Sequence, residues 1–412
     1  MPTVNVGIDW SDKSHSFCIL DAAGAKLDEF EIPHGQAGFE TAHKHISKMA
    51  TAPDDVRIAI ETKDSLLVDF FLELGYSLYF LNPKQTDRFR DRHRMSSSKS
   101  DGFDAYVLAD AVRTDSHLFS TLSPLDEHSL TLRVLTRTRE GIVRRKVAIS
   151  NELTAAFKRY FPLALELFTA LNTPEAIGFL LQYPTYAQAR TVSESRIHSV
   201  LKNQGVSDRI AARHAKTIYN KLKEPQPTPA QTATRAYPIA VKSLLRQMLD
   251  VLRELKAIEQ DIRDNYANHP NKQLLESLPG IASTLGPILA AELGSDITRF
   301  VDVKMLKAFA GSSPVTRRSG KYCEIKYRRA CNWRVRQALH LASQSAIVSC
   351  HWAREIYDKM RSQGKSYGRA LRAVANQLIE IIYAILTRRI PYSENYHLKM
   401  KSIHSNNIPV LT

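Results

Sequence analysis

At 412 residues the chain has room for two or three domains, and its 43% apolar and 8% aromatic content is ordinary for a folded soluble protein. No apolar run approaches the ~20 residues of a membrane helix, and the opening MPTVNVGIDW lacks the charged and apolar regions of a secretory signal, so no membrane and a cytoplasmic location are expected. Lys plus Arg outnumber Asp plus Glu by 57 to 42, and the stretch from Arg299 to Arg372 alone holds 17 basic against 4 acidic residues, the footprint of a polyanionic partner.

The first hundred residues alternate strand and helix signals. Val4–Asp9 is a short apolar run, followed by extended stretches at Ser16–Leu20 and Lys26–Ile32, with Gly24 in the turn between them. Helical periodicity covers Gly38–Met49, and a buried-strand pattern, Val56–Ile60, ends at Glu61. Leu66–Leu74 reads as a helix stopped by Gly75, and Ser77–Leu81 as a strand stopped by Asn82-Pro83. A basic, polar segment from Arg88 to Lys99 then leads into a helix over Asp101–Arg113. The order βββαβαβα, with mixed pairing, predicts an α/β RNase H-like core over residues 1–120 rather than a doubly wound nucleotide fold.

Residues 121–272 read as an elongated helical region. Leu244, Leu245, Met248, Leu252, Leu255, Ile258 and Ile262 form an apolar stripe suited to a helical hairpin or short coiled coil. Pro225, Pro227 and Pro229 break the chain before it, and Asn172–Tyr219 reads as a small helical insert. A mainly α domain is expected over 273–390, with a tail at 391–412. In it, Leu278-Pro279-Gly280-Ile281 leads into Leu285–Leu293, closed by Gly294. A helix-hairpin-helix, whose turn N–H groups face a phosphate, and an ordinary helix–turn–helix connection both give that pattern.

Four carboxylates stand out. Asp9 and Glu61 each end an apolar strand, and Asp101 and Asp104, spaced i, i+3, share one face of a helix. Brought together they would repel one another unless cations neutralised them, and a pair of magnesium ions roughly 4 Å apart is the usual solution at a phosphodiester. Each also has a plain reading: a strand-ending Asp caps a turn, and Asp101 can N-cap the helix after Ser100.

Ser319 is the second candidate, with Arg317, Arg318 and Lys321 beside it to hold a phosphodiester. A Ser-Gly turn between two elements explains the same residues. Lys326, Arg328, Arg329, Arg334 and Arg336 continue the basic run, interleaved with Tyr322, Tyr327 and Trp333, as nucleic-acid contacts would be. Cys18, Cys323, Cys331 and Cys350 lack the paired spacing of a zinc site or a disulfide framework.

Gly7-Ile-Asp-Trp, Ala59-Ile-Glu61, Asn82-Pro and Ser100-Asp-Gly-Phe-Asp-Ala105 resemble the DEDD, RuvC-like domain of transposases of the insertion-sequence one-ten family. Leu278-Pro-Gly-Ile, Ala308-Phe-Ala-Gly311 and Arg318-Ser-Gly-Lys321 are similar to that family's C-terminal transposase domain. The resemblance covers roughly residues 4–113 and 273–385. It implies that Asp9, Glu61, Asp101 and Asp104 take metal-ligand positions and that Ser319 takes the position of a nucleophilic serine. It further implies a recombinase acting on donor and target DNA, directed by an element-encoded structured RNA and working as a homodimer or homotetramer. In such an assembly a serine of one subunit joins the acidic site of another. A RuvC-like metal-dependent junction nuclease, in which Ser319 only shapes a turn, is the alternative. A sugar or acetate kinase-like phosphotransferase shares the first strand, Val6-Gly-Ile-Asp-Trp-Ser11, but no later glycine-rich phosphate loop is visible.

Overall fold

The computed structural model describes residues 4–93, 101–122, 125–227, 229–319 and 322–395. The chain divides into two compact units, Met1–Leu125 and Asp126–Thr412.

The first unit is built on a six-stranded mixed sheet of order β3-β2-β1-β4-β5-β6. Its strands are β1 (Val4–Trp10), β2 (Ser14–Asp21), β3 (Lys26–Pro33), β4 (Val56–Ile60), β5 (Ser77–Phe80) and β6 (Ser120–Leu122). β1, β4 and β5 run parallel, while β2 is antiparallel to both β1 and β3, and β6 is antiparallel to β5. The β2–β3 turn is held by the Asp21 carboxylate, which accepts from Gly24 N at 2.7 Å and Ala25 N at 2.8 Å, with Gly24 at φ 96°. Helices α1 (Gln36–Ser47), α2 (Leu66–Glu73), α3 (Pro83–His93) and α4 (Asp101–Asp115) complete the unit.

Parallel strands packed between helices are covered on both faces; β1 and β4 are apolar on one face and place the small residues Gly7 and Ala59 on the other. Val4, Val6, Ile8, Ile58 and Ile60 join Phe39, Ile46 and Phe71 in one core, beside α1 and α2. Ala59 packs on the other side with Leu108, Ala111 and Val112 of α4. One helix was not foreseen from the sequence: α3 occupies part of the basic segment that began at Arg88. A reciprocal cap starts it, with Asn82 N donating to Gln85 Oε1 and Gln85 N to Asn82 Oδ1, both at 3.1 Å, around Pro83 at the first helical position. The three-residue β6 was not foreseen either.

The second unit is mostly helical. Two long helices, α5 (Glu127–Tyr160) and α11 (Gln231–Ala267), pack side by side in antiparallel sense: Arg139 bonds Glu259 at 2.7 Å, and Arg145 bonds Glu254 at 3.2 Å. Between them in the chain come α6 (Ala164–Leu167), α7 (Pro174–Gln182), α8 (Tyr186–Arg190), α9 (Glu194–Asn203) and α10 (Asp208–Lys223). They share a core with Phe157, Val241, Leu245 and Met248. A second core gathers α12 (Lys272–Glu276), α13 (Leu285–Leu293), α14 (Val303–Phe309), α15 (Trp333–Ser349), α16 (His351–Ser362) and α17 (Tyr367–Arg388), together with Leu132 of α5. Gly280, in the α12–α13 connection, has φ 75° and sits so close to α15 that a Cβ would lie 2.4 Å from Ala342 O. Helix α17 is long and apolar enough to cross a membrane, but Val374, Leu378, Ile379 and Ile382 are buried in this core, as a central helix of the bundle requires. A two-stranded hairpin, β7 (Val315–Ser319) and β8 (Tyr322–Lys326), projects between α14 and α15 in the sequence.

Candidate functional site

Side chains alternate across a strand, so the faces of β1 and β4 fix where Asp9 and Glu61 go. Val4, Val6 and Ile8 take one face, leaving Asn5, Gly7 and Asp9 on the other. Likewise Ile58 and Ile60 share the first face, and Ala59 and Glu61 the second. The two strands pair in parallel register, Gly7 with Ala59 and Ile8 with Ile60, so Asp9 and Glu61 are the next residues of each. Helix α4 covers that second face, and its first turn carries Asp101 and Asp104.

Gly7 makes the approach possible. A Cβ there would lie 1.9 Å from Ala105 O and 2.5 Å from Ala109 N, so only a glycine lets the backbone of α4 lie on β1. Four carboxylates therefore meet at the carboxyl ends of two neighbouring strands. Burial, then the charges of Asp104, Asp101 and Glu61, push the Asp9 carboxyl up to about 6, while Arg90 pulls it the other way. Arg90, from α3, donates through Nε to Asp104 Oδ1 at 2.8 Å and through Nη1 to Asp87 Oδ1 at 2.7 Å. A further α4 carboxylate, Asp110, is buried but bonded by Arg113 Nε at 2.9 Å and faced by His93 Nε2 of α3 at 2.9 Å, so it already has its partners.

This donor set suits a hard divalent cation, which takes oxygen ligands. A half-buried carboxyl whose ionisation is opposed by three neighbours is a group that such a cation relieves. Among the described residues no three His, Cys, Asp or Glu side chains are gathered tightly enough to grip an ion as they stand.

Ser319 ends β7 at the hairpin turn, paired across to Tyr322, and both residues are exposed. Arg318 pairs with Cys323 and is exposed; Arg317 is placed by its backbone opposite Glu324; Lys321 lies outside the described residues. Lys326 is exposed, 3.0 Å from Glu324, and Arg329 is exposed. The other three basic candidates also hold the fold. Arg328 Nε donates to Ser313 O at 3.3 Å, and Arg336 Nη2 donates to Arg328 O at 2.6 Å. Arg334 lies over the Trp333 ring at 4.7 Å and bonds Glu140 at 3.0 Å. Tyr327 is held between the guanidinium groups of Arg336 and Arg372, at 4.4 and 5.0 Å.

Sequence reasoning missed Arg90, Gly7 and Arg372. The Asn82-Pro83-Lys84-Gln85 cap carries the signal for α3, and with it for Arg90 one turn after Asp87. Nothing local in the sequence marks Gly7 as a contact point or Arg372 as a partner of Tyr327.

Two transposase families match the chain: the one named for the DEDD motif and IS110 over residues 6–162, and the "Transposase IS116/IS110/IS902 family" over residues 272–358. The assigned mini-circle transposase of IS117 from Streptomyces coelicolor is 28% identical over 407 residues, 95% of this chain and 96% of that protein. The 43.6 kDa protein of insertion element IS110, from the same species, is 25% identical over 93% of this chain and 94% of its own length. An assigned transposase of Sinorhizobium fredii, y4uE, is 32% identical over 48% of this chain and 56% of its own. A DEDD transposase domain implies a divalent metal, and transposition implies a DNA substrate. The chain belongs to the IS110 family of insertion-sequence transposases and is a DNA transposase.

Proposed function

We propose that this transposase cuts and rejoins donor and target DNA using a RuvC-like N-terminal domain, residues 1–120, and Ser319 of a C-terminal domain, residues 273–390. Asp9, Glu61, Asp101 and Asp104 would hold magnesium. The observation that carries this reading is the convergence of those four carboxylates from β1, β4 and α4 on one end of a mixed sheet. The strand order β3-β2-β1-β4-β5, with β2 alone reversed among the five, supports an RNase H-like core. Two bound divalent ions would polarise a phosphodiester and stabilise negative charge on the attacking and leaving oxygens.

The chain's own residues supply the rest. Asp9, Glu61, Asp101 and Asp104 would hold the ions and offset their charge. Ser319, exposed at a hairpin end with Arg318 beside it, is accessible to a DNA backbone. Its Oγ forms a bond to phosphorus as the phosphorus–oxygen bond to the adjoining sugar breaks; the serine proton departs and the leaving sugar oxygen takes one up. Rejoining reverses this exchange, with a sugar hydroxyl displacing Oγ. The family resemblance implies direction by an element-encoded structured RNA. The basic stretch from Arg299 to Arg372 supports Arg317, Arg318, Lys321, Lys326, Arg328, Arg329, Arg334 and Arg336 as nucleic-acid contacts, and the family resemblance implies a homodimer or homotetramer.

The decisive experiment looks for a covalent protein–DNA adduct on a junction substrate. Wild type should form one, and Ser319→Ala and Asp9→Asn should not. Cleavage that survives in Ser319→Ala yet needs Asp9 would assign a RuvC-like nuclease instead. Sequencing RNA that copurifies with the protein tests the guide: one structured species supports it, and none removes it.

A further inference from the structure

A cation already touches the acidic quartet. Arg90 and Asp104 are both mostly shielded, with side chains 16% and 14% exposed, and their contact is a charge-assisted hydrogen bond at 2.8 Å. We infer that Arg90 is a resident stand-in for metal: it occupies Asp104 in the metal-free protein and yields that carboxylate when a divalent cation loads. This inference rests on the quartet being a metal site.

Three features of the site carry it. First, four carboxylates in one place need positive charge to coexist, and Arg90 supplies one such charge when no ion is bound. Second, a divalent cation bound at Asp104 would sit beside the guanidinium in a partly desolvated site, where like charges repel more strongly than in open water. Metal and Arg90 therefore compete for the same carboxylate. Third, Arg90 has somewhere to go. Its Nη1 already bonds Asp87, one turn earlier on α3 and 64% exposed, which can keep the guanidinium while Nε lets go. The Asn82–Gln85 cap pins the start of α3, so the exchange needs side-chain rotation without loss of the helix.

The competing role is that of a clamp, in which Arg90 aims Asp104 at the metal and stays bonded through loading. The two roles differ in sign. A stand-in weakens metal binding by its presence, whereas a clamp strengthens it.

Manganese(II) titration of the metal-free, full-length protein, followed by the electron paramagnetic resonance of free Mn2+, separates them. Arg90→Gln should bind Mn2+ about tenfold more tightly than wild type, the effect of removing one nearby like charge. Arg90→Lys, which keeps the charge, should stay close to wild type. Unfolding temperatures give a second readout: without metal Arg90→Gln should melt below wild type, and saturating Mn2+ should raise its midpoint by more. Unchanged or weaker Mn2+ binding by a folded Arg90→Gln would overturn the inference and leave Arg90 as a positioning residue. Should Asp9→Asn bind Mn2+ as tightly as wild type, or wild type bind none, the quartet reading itself fails, and this inference with it.

Discussion

The two units each shield carboxylates from water, and they treat them in opposite ways. In the first, Asp9 faces three other acids, with one guanidinium at the edge, and its carboxyl is raised to about 6. In the second, Glu292 of α13 is 1% exposed among cations and donors. Asn332 Nδ2 donates to it at 2.7 Å and Arg137 Nε at 3.3 Å; Arg133 stands 4.0 Å away, and Arg299 bonds its backbone carbonyl at 2.6 Å. Burial alone would raise the Glu292 carboxyl, but the Asn332 and Arg137 hydrogen bonds, with the charges of Arg137 and Arg133, hold it below the usual carboxylate range. An acid outnumbered by cations is complete as it stands and serves the fold. An acid outnumbered by acids is incomplete until something positive arrives.

That contrast predicts where damage falls. Glu292→Ala takes a buried carboxylate away from the partly buried Arg133, Arg137 and Arg299, and breaking a buried ion cluster from one side costs about 3–5 kcal/mol. Chemical denaturation should register a loss of that size, and a loss under ~1 kcal/mol would mean that the cluster is solvated like a surface pair. Gly7→Ala comes next. Its Cβ has no space against the Ala105 carbonyl, so α4 must shift, at about 1–3 kcal/mol for an overpacked core position. Because α4 carries Asp101 and Asp104, the same change should cut metal-dependent strand cleavage more than tenfold even in the surviving folded fraction. Full cleavage activity in a destabilised Gly7→Ala protein would show that the site does not depend on that approach.

Much of the acidic site was legible because strand alternation and strand ends are local patterns. β1, β2, β4 and β5 follow from apolar runs bounded by turn residues and β3 from an extended stretch after the Gly24 turn, and Asp9 and Glu61 from their places at the ends of two of them. The i, i+3 spacing of Asp101 and Asp104 needed only a helix. By contrast, α3 buries only Thr86 among its described side chains, so it has no apolar stripe to announce it; its evidence is the cap. Ion pairs such as Arg90–Asp104, and the contact of Gly7 with Ala105, join residues that only the fold brings together. In the second unit the stripe from Leu244 to Ile262 announced α11, but its partner α5 and the cations around Glu292 come from distant segments. Ser319 remains a local reading: a strand-end serine beside arginines, whose chemistry the fold alone does not reveal.

The smallest effect is the one that tests the contrast most directly, because it concerns sign. With its folded carboxyl raised to about 6 from an ordinary 3.8, metal-free Asp9 retains a proton between those values that the unfolded chain releases. Its contribution to stability is therefore greatest below pH 4, falls as pH rises through 6, and is level above that. Asp9→Asn removes the decline. The variant should match wild type in metal-free stability near pH 4 and exceed it above pH 6, by on the order of 1 kcal/mol once solvent screening is allowed for. Glu292, whose carboxyl is lowered, works the other way and loses its contribution as pH falls; comparing Asp9→Asn with wild type at each pH cancels that term. Saturating divalent metal should invert the order, since wild type gains binding energy that the variant lacks. Matched pH profiles for the two proteins, with the metal removed, would mean that Asp9 feels no excess of negative charge, and the first unit would then be no less complete than the second.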